Sequence, residues 1–269
     1  MKQLLCTAIV VVGSILGTCA SSASVVAINL EPHRAIYDVV LSESTVPNTL
    51  LTANGRLVLE LSDACDGYIS NQRFVVLWAY DEGRNFTSDY VATAWESKAG
   101  REFRFDSTTK IDGQLTEHYR GHARIPETGG DGRVKFSHPY GLEDLELAPS
   151  TVFPGAHIRT LIERARMGIQ RFSSEVYDGN GPNGLFQVVS FLGVEIAGDP
   201  SAEVSMIRDV VSWPVRIAYY ASDVMSGVPE LEIGYRLYAN GVGSSFLIDY
   251  GGIVLEGTLV SLDSLAADC

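Results

Sequence analysis

Positive charge is scarce in this sequence. Lysine and arginine together number 20 against 33 aspartate and glutamate, a net charge of −13 over 269 residues. Nucleic acid is gripped through basic patches, so the balance argues against that class of partner. It argues equally against docking on anionic lipid heads by charge. Motifs that carry chemistry are missing too: there is no Gly-x-Ser-x-Gly elbow, His-Glu-x-x-His helix, P-loop or dinucleotide fingerprint. No catalytic residue, cofactor or metal ligand is predicted.

Long apolar runs are also lacking, with one exception at the start. Met1-Lys2 gives a short positive region, Leu4 to Leu16 is almost wholly apolar, and Ser21-Ser22-Ala23 closes a stretch of small residues. That layout is a secretory signal over residues 1–23. The run is shorter than the roughly 20 apolar residues a membrane span needs. No later segment reaches that length without charges, so residues 24–269 are expected to form one exported β domain without a transmembrane span. A retained anchor is one alternative. A lipoprotein is another, because Leu16-Gly17-Thr18-Cys19 resembles a lipobox, although Thr18 stands where Gly, Ala or Ser is wanted.

Cysteine is rare, and its placement is informative. Cys6 and Cys19 leave with the signal. Cys65 and Cys269 remain, an even number in an oxidising compartment, and are expected to form a disulfide. The loop so closed is very long, which the chain-entropy account values at up to about 5 kcal/mol. Two free thiols, or an intermolecular bond through Cys269, are the competing readings.

What the sequence does have is a series of strand-like runs divided by turn residues. These are 34–41, 55–61, 67–80, 90–96, 101–106, 115–125, 133–137, 173–178, 185–196, 207–220, 231–238, 246–250 and 253–259. Leu57, Leu59 and Leu61 share one face of their run, and Phe103 and Phe105 alternate with charges. Ile111-Asp112-Gly113 and Asn240-Gly241 signal tight hairpins, the latter of type I′. Pro214 marks an edge or a bend. Residues 154–168 break the pattern. Ile158, Leu161, Ile162, Ala165 and Ile169 fall on one helical face, Arg159 and Glu163 form an i,i+4 pair on the other, and Pro154 and Gly168 suit the two ends. The fold class is thus all-β and mainly antiparallel, with about 12–14 strands in a curled sheet and one amphipathic helix.

The candidate sites are weak. His118 and His122 lie on one face of a strand with Gly121 between them, and no third ligand is signalled nearby. Residues 178–184 resemble a calcium loop, but Pro182 takes a ligand position and Val189 replaces the terminal Glu, so a hairpin turn explains them better. Asp63 and Asp66 beside Cys65 disfavour a reactive thiolate. Tyr37, Trp78, Tyr80, Tyr90 and Trp95 either line an apolar groove or build the core.

Particular stretches resemble a known family. They are Pro32-His-Arg-Ala-Ile-Tyr-Asp38, Cys65-Asp-Gly-Tyr68 before Gln72-Arg73-Phe74, Thr93-Ala-Trp-Glu96 before Phe103-Arg-Phe105, and Phe153-Pro-x-x-His157 running into Leu161-Ile162-Glu163. Their order and spacing are similar to those of EipB, an alphaproteobacterial family of periplasmic cell-envelope integrity proteins. The resemblance spans essentially the whole mature chain. It implies an open, barrel-like β-spiral with an associated helix, a disulfide matching Cys65 and Cys269, and periplasmic location. It also implies an envelope role without enzymatic activity, with a periplasmic TPR-repeat protein as a partner. Similar curled sheets in lipoprotein carriers suggest a second function, carriage of lipid or lipoprotein acyl chains.

Overall fold

The computed structural model describes residues 28–45, 50–222 and 227–266. The signal segment 1–23, Cys19 and Cys269 lie outside the described residues.

Fourteen strands run in chain order. The first eight are β1 (His33–Ser44), β2 (Leu50–Asp63), β3 (Gly67–Tyr80), β4 (Asn85–Ser97), β5 (Glu102–Ile111), β6 (Gln114–Arg124), β7 (Gly132–His138) and β8 (Leu145–Leu147). Helix α1 (Pro154–Arg166) follows. Then come β9 (Arg171–Tyr177), β10 (Leu185–Leu192), β11 (Ser212–Ala221), β12 (Leu231–Tyr238), β13 (Gly243–Asp249) and β14 (Ile253–Ser264). All belong to one sheet in the order 8-7-6-5-4-3-2-1-14-13-12-11-10-9. Every strand pairing is antiparallel, and β1 and β14 join the two meanders. A sheet this wide curls rather than lying flat. It does not close through its terminal strands. Instead Val152, just after β8, makes a single parallel bridge to Val176 on β9, with Val152 N–H donating to Glu175 O (2.9 Å) and Tyr177 N–H to Val152 O (3.1 Å). The result is an open spiral with its ends overlapped by one bridge.

Alternation drives the strands inward. Phe103 and Phe105 are 2% and 5% exposed while Arg104 between them faces water. Phe153 stacks on Phe103 with ring centroids 5.1 Å apart, and Tyr177 meets both β5 rings edge-on. Asp112 (φ 50°) and Gly113 (φ 77°) form the expected two-residue loop, whose positive dihedrals suit the twist of the strands it joins. The Asn240-Gly241 turn differs from the sequence expectation. Only Gly241 has positive φ (90°); Gly241 N–H donates to Tyr238 O and Tyr238 N–H to Val242 O. This is a three-residue loop with a left-handed glycine, not type I′.

The helix lays Leu161 and Ile162, both fully buried, against β9–β12 residues including Val188, Trp213 and Val215. Burying each aliphatic side chain is worth about 1.5–3 kcal/mol. Pro154 occupies the first turn, and Gly168 (φ 71°) follows the end. Arg159 does not pair with Glu163. It is drawn inward to Glu96 on β4, because a buried carboxylate is a stronger attractor than an exposed neighbour on the same helix.

Candidate functional site: the interior cavity

The curl leaves a cavity of about 370 Å³ between β1–β3, β12–β13 and the first turn of α1. Leu57, Leu59 and Leu61, read from the sequence as one face of a strand, supply one wall. Ile233, Phe246 and Ile248 supply the opposite one, and Ile158 comes from the helix. The volume falls within the range of small-ligand sites, which run from about 300 to 1,000 Å³ and are mostly apolar.

Key polar groups on the walls are engaged with the protein itself. The Tyr37 hydroxyl donates to Gly243 O at 2.7 Å, and burial pushes its pKa up to about 12. The Tyr68 hydroxyl accepts from Leu30 N–H at 3.2 Å. His33, 7% exposed, has Nδ1 2.7 Å from Glu31 O, and burial lowers its pKa, favouring the neutral ring. Glu96 is 5% exposed and accepts from Gly155 N–H and Ala156 N–H, both at 2.6 Å, with Arg159 Nη2 3.3 Å away. Burial pushes this carboxyl up, opposed by the Arg159 charge and the two N–H donors. The first-turn N–H groups of a helix lack partners within it. Phe153 at the N-cap offers no side-chain bond, so a residue nearly sixty positions earlier caps the helix. The sequence motifs acquire a physical reason here: Phe153 packs, Pro154 starts the helix, and His157 is buried within it.

The structure disperses the other candidates. Of the five aromatics, Tyr37 lines the cavity. Trp78 Nε1 donates to Ser88 Oγ (2.9 Å), Tyr80 stacks on Phe86, and the Tyr90 hydroxyl donates to Asn180 Oδ1 (2.7 Å). Trp95 lies on the outer face beneath Arg104. His118 reaches Asp106 at 3.0 Å and stacks on His138, away from His122. Among the described residues no three His, Cys, Asp or Glu side chains gather as a metal site. Residues 178–184 do form the β9–β10 hairpin connection, with Asp178 accepting from Asn180 at 2.9 and 2.8 Å. Ser190 and His157 approach to 3.3 Å, a contact no sequence motif signals. They are 0% and 4% exposed, so the pair is packed in the interior.

Cys65 is disulfide-bonded. Its turn is well fixed: Asp63 Oδ1 accepts its N–H at 3.0 Å, and Lys98 Nζ holds Asp63 at 2.9 Å. Strands β2 and β14 flank β1, with Leu61 and Ser264 both opposite His33. The segments after them therefore leave the same end of the sheet.

An open antiparallel spiral around an apolar hollow defines a barrel-like β protein. A family model described as EipB-like matches residues 24–266, and the chain belongs to that family. It is 32% identical over 250 residues to the cell envelope integrity protein EipB of Brucella abortus (strain 2308), covering 91% of this chain and 87% of the relative. A crystal structure of a β-barrel-like protein of the domain of unknown function DUF1849, also from Brucella abortus, superposes with a TM-score of 0.82 at 31% identity. That match covers 89% of this chain and 100% of the other. Among the described residues no helix is long and apolar enough to cross a membrane.

Proposed function

We propose that this is a non-catalytic periplasmic protein that maintains the cell envelope by binding another envelope component, whose apolar part enters the interior cavity. The observation that carries this reading is the cavity itself, walled by Leu57, Leu59, Phe246 and Ile248 and hemmed by polar groups already bonded to protein. The envelope role is supported by the name of the 32%-identical relative. An acyl chain of a lipid or lipoprotein fits such walls best, since apolar contact is favourable in proportion to the area removed from water. The signal at 1–23 and the pairing of Cys65 with Cys269 belong to the same proposal.

The test is native mass spectrometry of protein purified from its own periplasm, beside a Leu59→Trp variant that fills the hollow. The expected result is a lipid-mass adduct on the parent that is lost from a variant melting at or near the parent's temperature. Repeated absence of an adduct from the parent, or an adduct unchanged in the variant, rejects the cavity as the binding place. For the envelope role, a deletion strain is expected to lose tolerance to detergents and cell-wall antibiotics.

A further inference from the structure

On the outer face of the sheet, strand register sets Trp95 (β4), Arg104 (β5), His122 (β6) and Lys135 (β7) side by side in one row. They border a shallow depression of about 630 Å³ that also takes in Ile69, Arg120 and Asp106, whose carboxylate is held by Arg120 and His118. Neighbouring strands lie about 4.8 Å apart, so Arg104 and Lys135 sit roughly 10 Å from one another.

The row departs from the cross-strand ion pairing seen at several other places on the sheet. Several exposed strand arginines meet an acid on the neighbouring strand: Arg34 with Glu60 (3.2 Å), Arg56 with Asp38 (2.7 Å), Arg73 with Asp89 (2.9 Å) and Arg216 with Glu232 (2.8 Å), while Arg171 on β9 lies over the Phe191 ring instead. The row on one side places Arg120 against Asp106, and the row on the other runs Glu102, Arg124, Arg133, Glu146. The middle row has no acid at all. Among the described residues Arg104 and Lys135 meet no carboxylate within 4.0 Å, and the Arg104 guanidinium lies 4.7 Å from the Trp95 ring centroid. In a chain with 33 acidic residues available, an acid-free row marks a place where the opposing charge comes from outside.

We propose that this row is the docking site for an acidic segment of a partner protein. Carboxylates of that segment pair with Arg104 and Lys135 and take a ring N–H from His122, while an apolar or aromatic side chain packs beside Trp95 and Ile69. Three observations favour a protein over other anions. The depression is shallow and exposed, unlike an enclosed phosphate site. Its cations are side chains alone, with no helix terminus aimed into it. And a chain of net charge −13 is repelled by an anionic membrane, whereas a short acidic segment meets Arg104 and Lys135, the Asp106 carboxylate beside them being held by Arg120. The site is on the outside of the sheet, so it stands or falls independently of the interior cavity.

The test uses full-length mature protein and a fluorescent peptide of alternating glutamate and tyrosine, with the glutamine version as control. The double variant Arg104→Gln/Lys135→Gln is compared with Arg56→Gln/Arg216→Gln, which removes equal charge from elsewhere on the sheet. Thermal melts establish that both variants are folded. The proposal expects saturable binding of the glutamate peptide that weakens with salt, falls about tenfold or more in the Arg104/Lys135 variant, and survives in the control variant. No binding of the glutamate peptide, or equal loss in both variants, overturns it. So does preferential row-dependent binding of vesicles containing phosphatidylglycerol, or of inorganic phosphate, in place of the peptide.

Discussion

Glu96 on β4 and Arg159 on α1 form an ion pair in the interior, 3.3 Å between Oε1 and Nη2, with side chains only 6% and 17% exposed. The pair fastens the helix beside the cavity, and the same carboxylate caps the first turn through Gly155 and Ala156. Removing one member of a buried pair strands the other, at a cost of about 3–5 kcal/mol. Glu96→Ala removes the cap as well as the counter-charge, so it is expected to be the worse of the two substitutions. Arg159→Met leaves the carboxylate its two N–H donors and is expected to cost less. Urea midpoints of the two variants check the ranking; the reverse order would mean that the cap contributes little.

Two buried groups are expected to give opposite pH dependences that mask one another. Burial pushes the Asp178 carboxyl up from 3.8 to about 6, against the lowering effect of its Asn180 bonds. The folded state therefore holds more protons than the unfolded chain between pH 4 and 6, and stability falls as pH rises through that window. Burial pushes His157 down from 6.5 to about 4. There the unfolded chain holds more protons, so stability rises with pH between 4 and 6.5. Each contribution is at most about 3 kcal/mol. Asp178→Asn is expected to unmask the rising profile and His157→Gln the falling one. Denaturant titrations from pH 4 to 7 read both; parallel profiles in the parent and the two variants would contradict the assignment.

Phe246 depends on a glycine. A Cβ at Gly257, its cross-strand neighbour, would lie 2.1 Å from the ring's Cζ. The ring meets Tyr37 edge-on at 5.2 Å and forms part of the cavity wall. Gly257→Ala is expected to drive the ring off its site, costing about 1–3 kcal/mol as over-packing does, and to lower retention of a bound apolar ligand. Near-parental melting combined with full retention would show that the ring has somewhere harmless to go.

Features governed by local rules were legible in the sequence. The β3 boundaries, the inward Phe103 and Phe105, the shared face of Leu57, Leu59 and Leu61, the Asp112-Gly113 turn and the helix all follow from period or turn chemistry. Features that depend on distant partners were not. Strand β8 is three residues long, too short to show a period. The Arg159–Glu163 spacing satisfied the helical rule, yet the sheet brings Glu96 closer, and no local pattern reports a partner 63 positions away. The aromatics were scattered because Tyr37 and Trp95 face opposite sides of the sheet. The acid-free row became visible only through register, since its four members lie on four strands.

The disulfide tests how far the spiral depends on covalent help. Cys65 is bonded and sits in a left-handed turn (φ 61°) immediately after β2. Its expected partner, Cys269, follows β14, whose last residues are held to β1 by the Ser264–His33 register and by Leu265 N–H donating to Pro32 O. Because β1 already joins both segments, the bond would reinforce an existing arrangement rather than create it. Cys65→Ser is therefore expected to fold, to melt lower and to be cleaved faster by protease, with a loss below the roughly 5 kcal/mol that loop entropy alone would allow. Reductant should bring the parent down to the variant's melting temperature. Identical parental melts with and without reductant would show an energetically idle bond. Peptide mapping of unreduced protein should recover the Cys65 peptide joined to the C-terminal one; any other partner refutes the pairing.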